Sequence, residues 1–210
     1  MKRICVFLAV VMLLSGVAFA HEDCPCEIYD DITPEAWCHD ETVYAIEHGL
    51  MNGISERRFD PNGCVSRAML VTILYRCEGA PDVSDLTNPF VDVLDGQWYA
   101  EAVTWAYDNG IVNGVSPSSF APNRYITREQ IAAILYRYAQ FKGEAVSVSN
   151  PEALAAFPDC DIISAYAVDA VTWTVERGII KGIYGTLSSE ALAVRAEIAA
   201  MLMRYLEMSC

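Results

Sequence analysis

The sequence is poor in the residues that carry chemistry. Its 210 residues include three histidines, His21, His39 and His48, all before residue 49. No G-x-S-x-G elbow, phosphate-binding loop or dinucleotide fingerprint is present, so the reactions those motifs serve have no foothold here. Asp and Glu pairs abound, as on any acidic surface, and give paired-carboxylate catalysis no specific support. The reading is therefore non-enzymatic, with no catalytic residue and no cofactor. Basic residues are also scarce: 14 Lys and Arg stand against 28 Asp and Glu, for a net charge of −14. Such a chain is repelled by nucleic acid and by anionic membrane, and an anionic ligand must be held by a local cluster of cations. Beyond the first twenty residues, no apolar run is long enough to span a bilayer.

The one long apolar run stands at the start. Lys2 and Arg3 precede Ile4 to Leu14, and the stretch closes on Ala18-Phe19-Ala20, which reads as a secretory signal peptide over 1–20. No lipobox cysteine follows, so the product is expected to begin at His21, exported and soluble, with no membrane attachment. Loss of Lys2 and Arg3 takes the net charge from −14 to −16. Seven cysteines remain, at 24, 26, 38, 64, 77, 160 and 210. In an exported protein disulfides are expected, and the odd count leaves one thiol over for a partner protein. Cys38 and Cys77, at opposite ends of a helical hairpin, are the expected pair. Cys24, Cys26, Cys38, His39 and His48 crowd the N-terminus, but their spacing matches no standard zinc motif. An exported C-P-C points to disulfide chemistry instead, and no metal ligand is assigned.

What the chain does have is repetition. Shifted by 61 residues, Asp31 falls on Asp92, Trp37 on Trp98, Gly53 on Gly114, Phe59 on Phe120, Arg67 on Arg128 and Arg76 on Arg137. A third copy follows at an offset of 67 or 68, with Asp159, Tyr166, Gly182, Leu187, Arg195 and Arg204. Each copy parses as helix, loop, helix. Tyr99, Ala102, Val103 and Ala106 form one helical face that stops at Asn109-Gly110. A second helix starts after Thr127, whose hydroxyl and Gln130 make a capping box. Its core stripe, Ile131, Ile134, Leu135 and Tyr138, recurs as Leu70, Ile73, Leu74 and Cys77, and as Ile198, Met201, Leu202 and Tyr205. Trp105 and Trp173 are mid-helix and read as core. One hairpin of this size cannot bury its apolar face alone, so the copies should pack on each other.

One position resists the helical reading. Arg67, Arg128 and Arg195 each stand in the first turn of the second helix, where the macrodipole disfavours a cation. Free backbone N–H groups beside a guanidinium would make a carboxylate site. A salt bridge to an aspartate of the neighbouring repeat is the competing reading. Asp31, Asp92 and Asp159 either line a groove or cap the first helix locally. Arg76, Arg137 and Arg204 recur near helix C-termini, where the dipole favours them, and need no function.

These residues resemble the S-layer homology domains of bacterial surface proteins. The resemblance rests on F-x-D at Phe90-Val91-Asp92, on Trp98 and Trp105 at W-x(6)-W spacing, on "NGIVNG" before F-x-P, and on the boxes "SRAM", "TREQ" and "VRAE". It covers roughly residues 27 to 208. It implies a mostly all-α fold of three helix–loop–helix hairpin repeats, at 21–80, 88–143 and 154–208, packed as a pseudo-threefold body. It also implies that grooves between repeats bind secondary cell-wall polysaccharide, often through the carboxylate of a pyruvate ketal. Carried over by motif position, the polysaccharide contacts are the arginines Arg67, Arg128 and Arg195, the aspartates Asp31, Asp92 and Asp159, and the aromatics Trp37, Trp98 and Tyr166. Gly53, Gly114 and Gly182 would let the ligand approach the backbone. Departures fall in repeat 1, with Met69 for Glu or Gln, and in repeat 3, with Val194 at the N-cap, Tyr166 for tryptophan, Ser189 for the loop proline and Lys181 for asparagine. Members of the family usually tether a cargo domain, and none is seen before Cys210. That keeps a second expectation open, a structural or protein-interaction module on the same fold.

Overall fold

A computed structural model of the chain describes residues 24–208; the expected signal peptide, the His21 start and Cys210 lie outside the described residues. Six α-helices follow in order: α1 His39–Glu47, α2 Arg67–Cys77, α3 Ala100–Asp108, α4 Arg128–Phe141, α5 Val168–Glu176 and α6 Arg195–Met208. Short 3₁₀ turns at Pro151–Ala156 and Cys160–Ile162 lead into repeat 3. Among the described residues, extended pairing is confined to isolated bridges, so the fold is mostly helical, as expected.

Local signals place the helix ends. Thr127 caps α4 and forms the capping box with Gln130. Repeat 1 keeps the hydroxyl half, with Ser66 accepting from the Met69 N–H. Repeat 3 keeps the acidic half, with Glu197 accepting from the Val194 N–H. Helix α3 gives way at Asn109 to Gly110, whose φ of +67° is a left-handed conformation that glycine adopts without strain.

The helices do not pair as hairpins. Helix α2 packs on α3, α4 on α5, and α6 on α1, so each second helix seats the first helix of the next repeat and the last seats the first. The stripes predicted from periodicity supply the apolar surface: Ile131, Leu135 and Tyr138 are buried on α4, and Trp105 and Trp173 are buried on α3 and α5. Trp105 tilts against Tyr75 at 5.6 Å, and Trp173 meets Tyr136 edge-on at 5.7 Å, the same contact at two successive junctions.

This exchange overturns the expected Cys38–Cys77 bond. The nine residues of α1 span about 13 Å. Cys38 precedes the first turn, whereas Cys77 shares a cleft with Tyr44 and His48 at the other end. A disulfide needs Cα atoms within about 7 Å. Cys24, Cys26, Cys38, Cys64, Cys77 and Cys160 are all free thiols.

The segments just before the second helices meet at the centre. The Val65 N–H donates to Ala193 O (3.2 Å), the Ala193 N–H to Ile126 O (3.0 Å), and the Ile126 N–H to Val65 O (3.0 Å). Three fully buried residues thus close a ring of backbone hydrogen bonds, flanked by bridges Cys64–Val194, Ser66–Tyr125 and Thr127–Leu192.

Candidate functional site

The first-turn arginines are buried, with 6%, 3% and 8% exposure at Arg67, Arg128 and Arg195. Each reaches into the next repeat. Arg67 Nε donates to Phe120 O (2.9 Å), Arg128 Nε to Leu187 O (2.9 Å) and Arg195 Nε to Phe59 O (2.8 Å). Second donors go to Asn113 O from Arg67 and to Asn52 O from Arg195. The guanidinium carbons of Arg67 and Arg195 lie 4.7 and 4.4 Å from the Phe120 and Phe59 ring centres. Repeat 3 has Leu187 in place of that ring, and there Arg128 pairs with Glu197 at 3.3 Å. Burial pushes all three guanidinium pKa values down.

The expected carboxylate site at the helix starts is therefore corrected. The first free N–H groups are already used: Arg67 and Ala68 donate to Arg124 O and Pro122 O, Arg128 and Glu129 to Ala191 O and Ser189 O, and Arg195 and Ala196 to Gly63 O and Pro61 O. No aspartate of a neighbouring repeat receives these arginines in an ion pair among the described residues; the one acidic partner is Glu197.

The aspartates turn out to be clamps within their own repeats. Asp31 accepts from the N–H groups of Phe59 and Asp60, Asp92 from Phe120 and Ala121, and Asp159 from Leu187 and Ser188, all at 2.7–2.9 Å. They cap no helix: the residues before α1, α3 and α5 are Cys38, Tyr99 and Ala167, with no side-chain cap. The second clamped residue is Asp60, Ala121 or Ser188, and each has a positive φ between 51° and 62° without being glycine. The paired carboxylate bonds hold a conformation that costs roughly 1–2 kcal/mol for an L-residue. Burial works against the charge of Asp92, but hydrogen bonds from Ser119, Phe120 and Ala121 outweigh it and hold its carboxyl below the ordinary value.

The loop glycines serve internal packing. A Cβ on Gly114 would lie 2.2 Å from Ser116 O and 2.7 Å from the Phe90 ring. Gly53 and Gly182 meet Tyr29 and Phe157 in the same way.

Two grooves result, each built from all three repeats. One, a cavity of about 360 Å³, is lined by Arg128, the 180–184 loop, Glu197, Met201, Arg204 and Trp37. The other, about 460 Å³, is lined by Arg67, the 112–115 loop, Gln130, Ile134, Arg137 and Tyr166. Both volumes fall in the range of small-ligand sites, about 300–1,000 Å³. Trp37, Trp98 and Tyr166 are 63%, 58% and 56% exposed, so each offers a ring to solvent. The corresponding positions at the third junction are Arg195, Asn52 to Ile54, Met69, Arg76 and Trp98.

Three residues gain a place that sequence did not give them. Arg137 and Arg204 line the grooves, and helices α4 and α6 run on to Phe141 and Met208, so neither arginine sits in a last turn. Their dismissal as helix-end cations is corrected; only Arg76 lies in a last turn. A signal existed, since Gln130, Ala133, Ile134 and Arg137 fall at i, i+3, i+4 and i+7 on one face. The third residue is Glu129, buried at the start of α4. It accepts from the Ser164 N–H and hydroxyl and, at 2.8 Å, from the Tyr166 hydroxyl. Burial, then this bond, raises the pKa of Tyr166 and fixes its ring at the groove mouth.

The cysteines and histidines near the N-terminus separate into two sets. Cys24, Cys26 and His39 bring their ligand atoms within 4.8 Å of one another. His48 instead stacks on Tyr44 at 3.9 Å.

Comparison with known proteins places these features in context. The profile of the S-layer homology domain matches residues 28–68, 89–132 and 156–186. The chain is 30% identical over 186 residues to an amylopullulanase of Thermoanaerobacterium thermosulfurigenes, covering 86% of this chain and 10% of that protein. It is 29% identical over 166 residues to the surface-layer 125 kDa protein of Lysinibacillus sphaericus, covering 77% and 13%. With the cellulosome-anchoring protein of Acetivibrio thermocellus the identity is 26%, over 77% of this chain and 36% of that protein. The chain thus spans only a minor part of the relatives it matches.

Proposed function

Because the chain belongs to the S-layer homology domain family, we propose that it is a non-catalytic module that holds an exported protein to the cell wall by binding an anionic secondary wall polysaccharide. The single observation that carries this reading is local charge inversion. The protein bears a net charge of −14, yet one groove is lined by Arg67 and Arg137 with no acidic wall residue among those described, and the other by Arg128, Lys181 and Arg204, with Glu197 in its wall and Glu41 paired with Arg204 at 3.7 Å. Such pockets suit an anion on a ligand that also presents a flat apolar face, since Trp37 and Tyr166 stand beside the cations. A pyruvylated sugar meets both requirements: its ketal carboxylate would face the guanidinium groups while its ring stacks on the aromatic residue.

In this reading Arg137, Arg204, Trp37 and Tyr166 touch the polymer. Arg67 and Arg128 contribute whatever guanidinium edge remains beyond their backbone bonds. Asp31, Asp92 and Asp159 act at one remove, by holding the loops that carry the groove backbone. Arg195 and Trp98 would serve a third groove, where Met69 replaces the polar Gln130 and Glu197. The names of the surface-layer and cellulosome-anchoring relatives agree with a place at the cell surface. Sedimentation with purified walls tests the proposal. Binding is expected to disappear when the polymer is stripped, and equally when mild acid removes its ketal. Binding that survived both treatments would refute it.

A further inference from the structure

We propose that Cys24, Cys26 and His39 form a zinc site that fastens the N-terminal segment to the start of α1. The segment curls through two turns, with the Glu27 N–H on Cys24 O and the Tyr29 N–H on Cys26 O, both at 2.9 Å. The curl sets both sulfurs toward one imidazole nitrogen: His39 Nε2 lies 3.7 Å from Cys24 Sγ and 3.2 Å from Cys26 Sγ. Tetrahedral zinc with Zn–S near 2.3 Å and Zn–N near 2.0–2.1 Å requires S···N separations of about 3.5–3.6 Å. The two separations bracket that value, so an ion fits with small side-chain adjustments.

The orientation of the imidazole gives a second, independent argument. Its Nδ1 lies 3.0 Å from Asp40 Oδ1. An ionised carboxylate only accepts, so Nδ1 is the donor to Asp40 and Nε2 is the nitrogen left facing the sulfurs, where the neutral imidazole would offer a metal its lone pair. A carboxylate behind the histidine is how metal-bound imidazoles are commonly held. Cys26 is buried while Cys24 and His39 are half-buried, which leaves a path for an ion to enter. Thiolate and imidazole together select zinc over magnesium or calcium. On binding, each thiol would release its proton to solvent, two per ion. Three protein ligands would leave the fourth position to water. None of the three residues lines either groove, so this site is separate from polymer binding. Its effect would be mechanical: it ties down the turn that runs from Trp37, a groove wall, into α1.

Cobalt(II) added to the reduced full chain tests the site. One equivalent is expected to give sulfur-to-cobalt charge-transfer absorption and the visible bands of tetrahedral cobalt. The pair C24S/C26S should abolish both, C64S should leave both intact, and Asp40→Ala should weaken binding about 10- to 100-fold. X-ray absorption of the zinc-loaded wild type, which needs no variant to fold, should show two sulfur neighbours and one imidazole. The proposal is overturned if the reduced wild type takes up no cobalt in tetrahedral form. It is equally overturned if the folded double variant keeps the spectrum, or if the zinc has no sulfur neighbour.

Discussion

A guanidinium in the first turn of a helix opposes the macrodipole by a few tenths of a kcal/mol, up to about 1. Arg67, Arg128 and Arg195 outweigh that cost because each satisfies buried carbonyls of the next repeat. An unsatisfied buried acceptor costs about 1–3 kcal/mol, so replacing any of the three by Ala is expected to remove roughly 2–4 kcal/mol of stability in denaturant melts. Arg137→Ala should change stability by about 1 kcal/mol or less, as expected for a partly exposed position. Arg204→Ala also gives up the bond to the buried Ile179 O and the ion pair with Glu41, and should cost about 1–3 kcal/mol. The Asp clamps add a prediction with a pH signature. Asp92→Asn removes the charge and one of the two acceptor oxygens, and should cost about 1–3 kcal/mol at pH 7. The folded carboxyl titrates below its ordinary value of 3.8, so its contribution is complete above that pH and vanishes as pH falls through the folded value. Urea melts of wild type and variant should therefore differ equally at pH 5 and pH 7, and converge below about pH 3.8. Conversely, Ala121→Gly should stabilise or be neutral, since the clamped φ of +58° suits glycine.

At the scale of elements, what sequence revealed was whatever repeats with the helix period. The core stripes, the α3 stop at Asn109-Gly110 and the Thr127 box follow from local sterics and hydrogen bonding, and the structure has them in place. Partners of the box arginines were hidden because they lie 46 to 143 residues away in the chain. The helix exchange was hidden for the same reason: an apolar stripe says that a face is buried, not by which neighbour. Arg137 and Arg204 read as end-of-helix cations because their position near the C-terminus does not tell that α4 and α6 run a further turn past them, to Phe141 and Met208. The candidate site was thus legible as motif positions, but the division between residues that build the groove and residues that face it was not. The caps give a test at this scale. Thr127→Ala removes the hydroxyl half of a complete box and should lower stability by about 1 kcal/mol. Thermal melts that showed no change would mean the cross-repeat bonds alone fix the start of α4.

For the whole molecule, the exchange of helices and the backbone ring through Val65, Ile126 and Ala193 make each repeat incomplete without its neighbours. We propose that 21–80, 88–143 and 154–208 are units of sequence and not of folding. Tryptophan fluorescence and far-UV circular dichroism should then report one coincident unfolding transition; separate transitions would show autonomous repeats. The groove account rests on the same architecture, because each groove takes its cations and its aromatic residue from different repeats. The most direct test is the affinity of the R137A/R204A double variant for the purified wall polymer, measured by calorimetry beside wild type with both proteins shown to be folded. The account expects wild-type binding that weakens with salt and with removal of the ketal carboxylate, and a double variant that stays folded at the assay temperature but binds at least tenfold more weakly. Equal affinities of the two proteins for the intact polymer would contradict it.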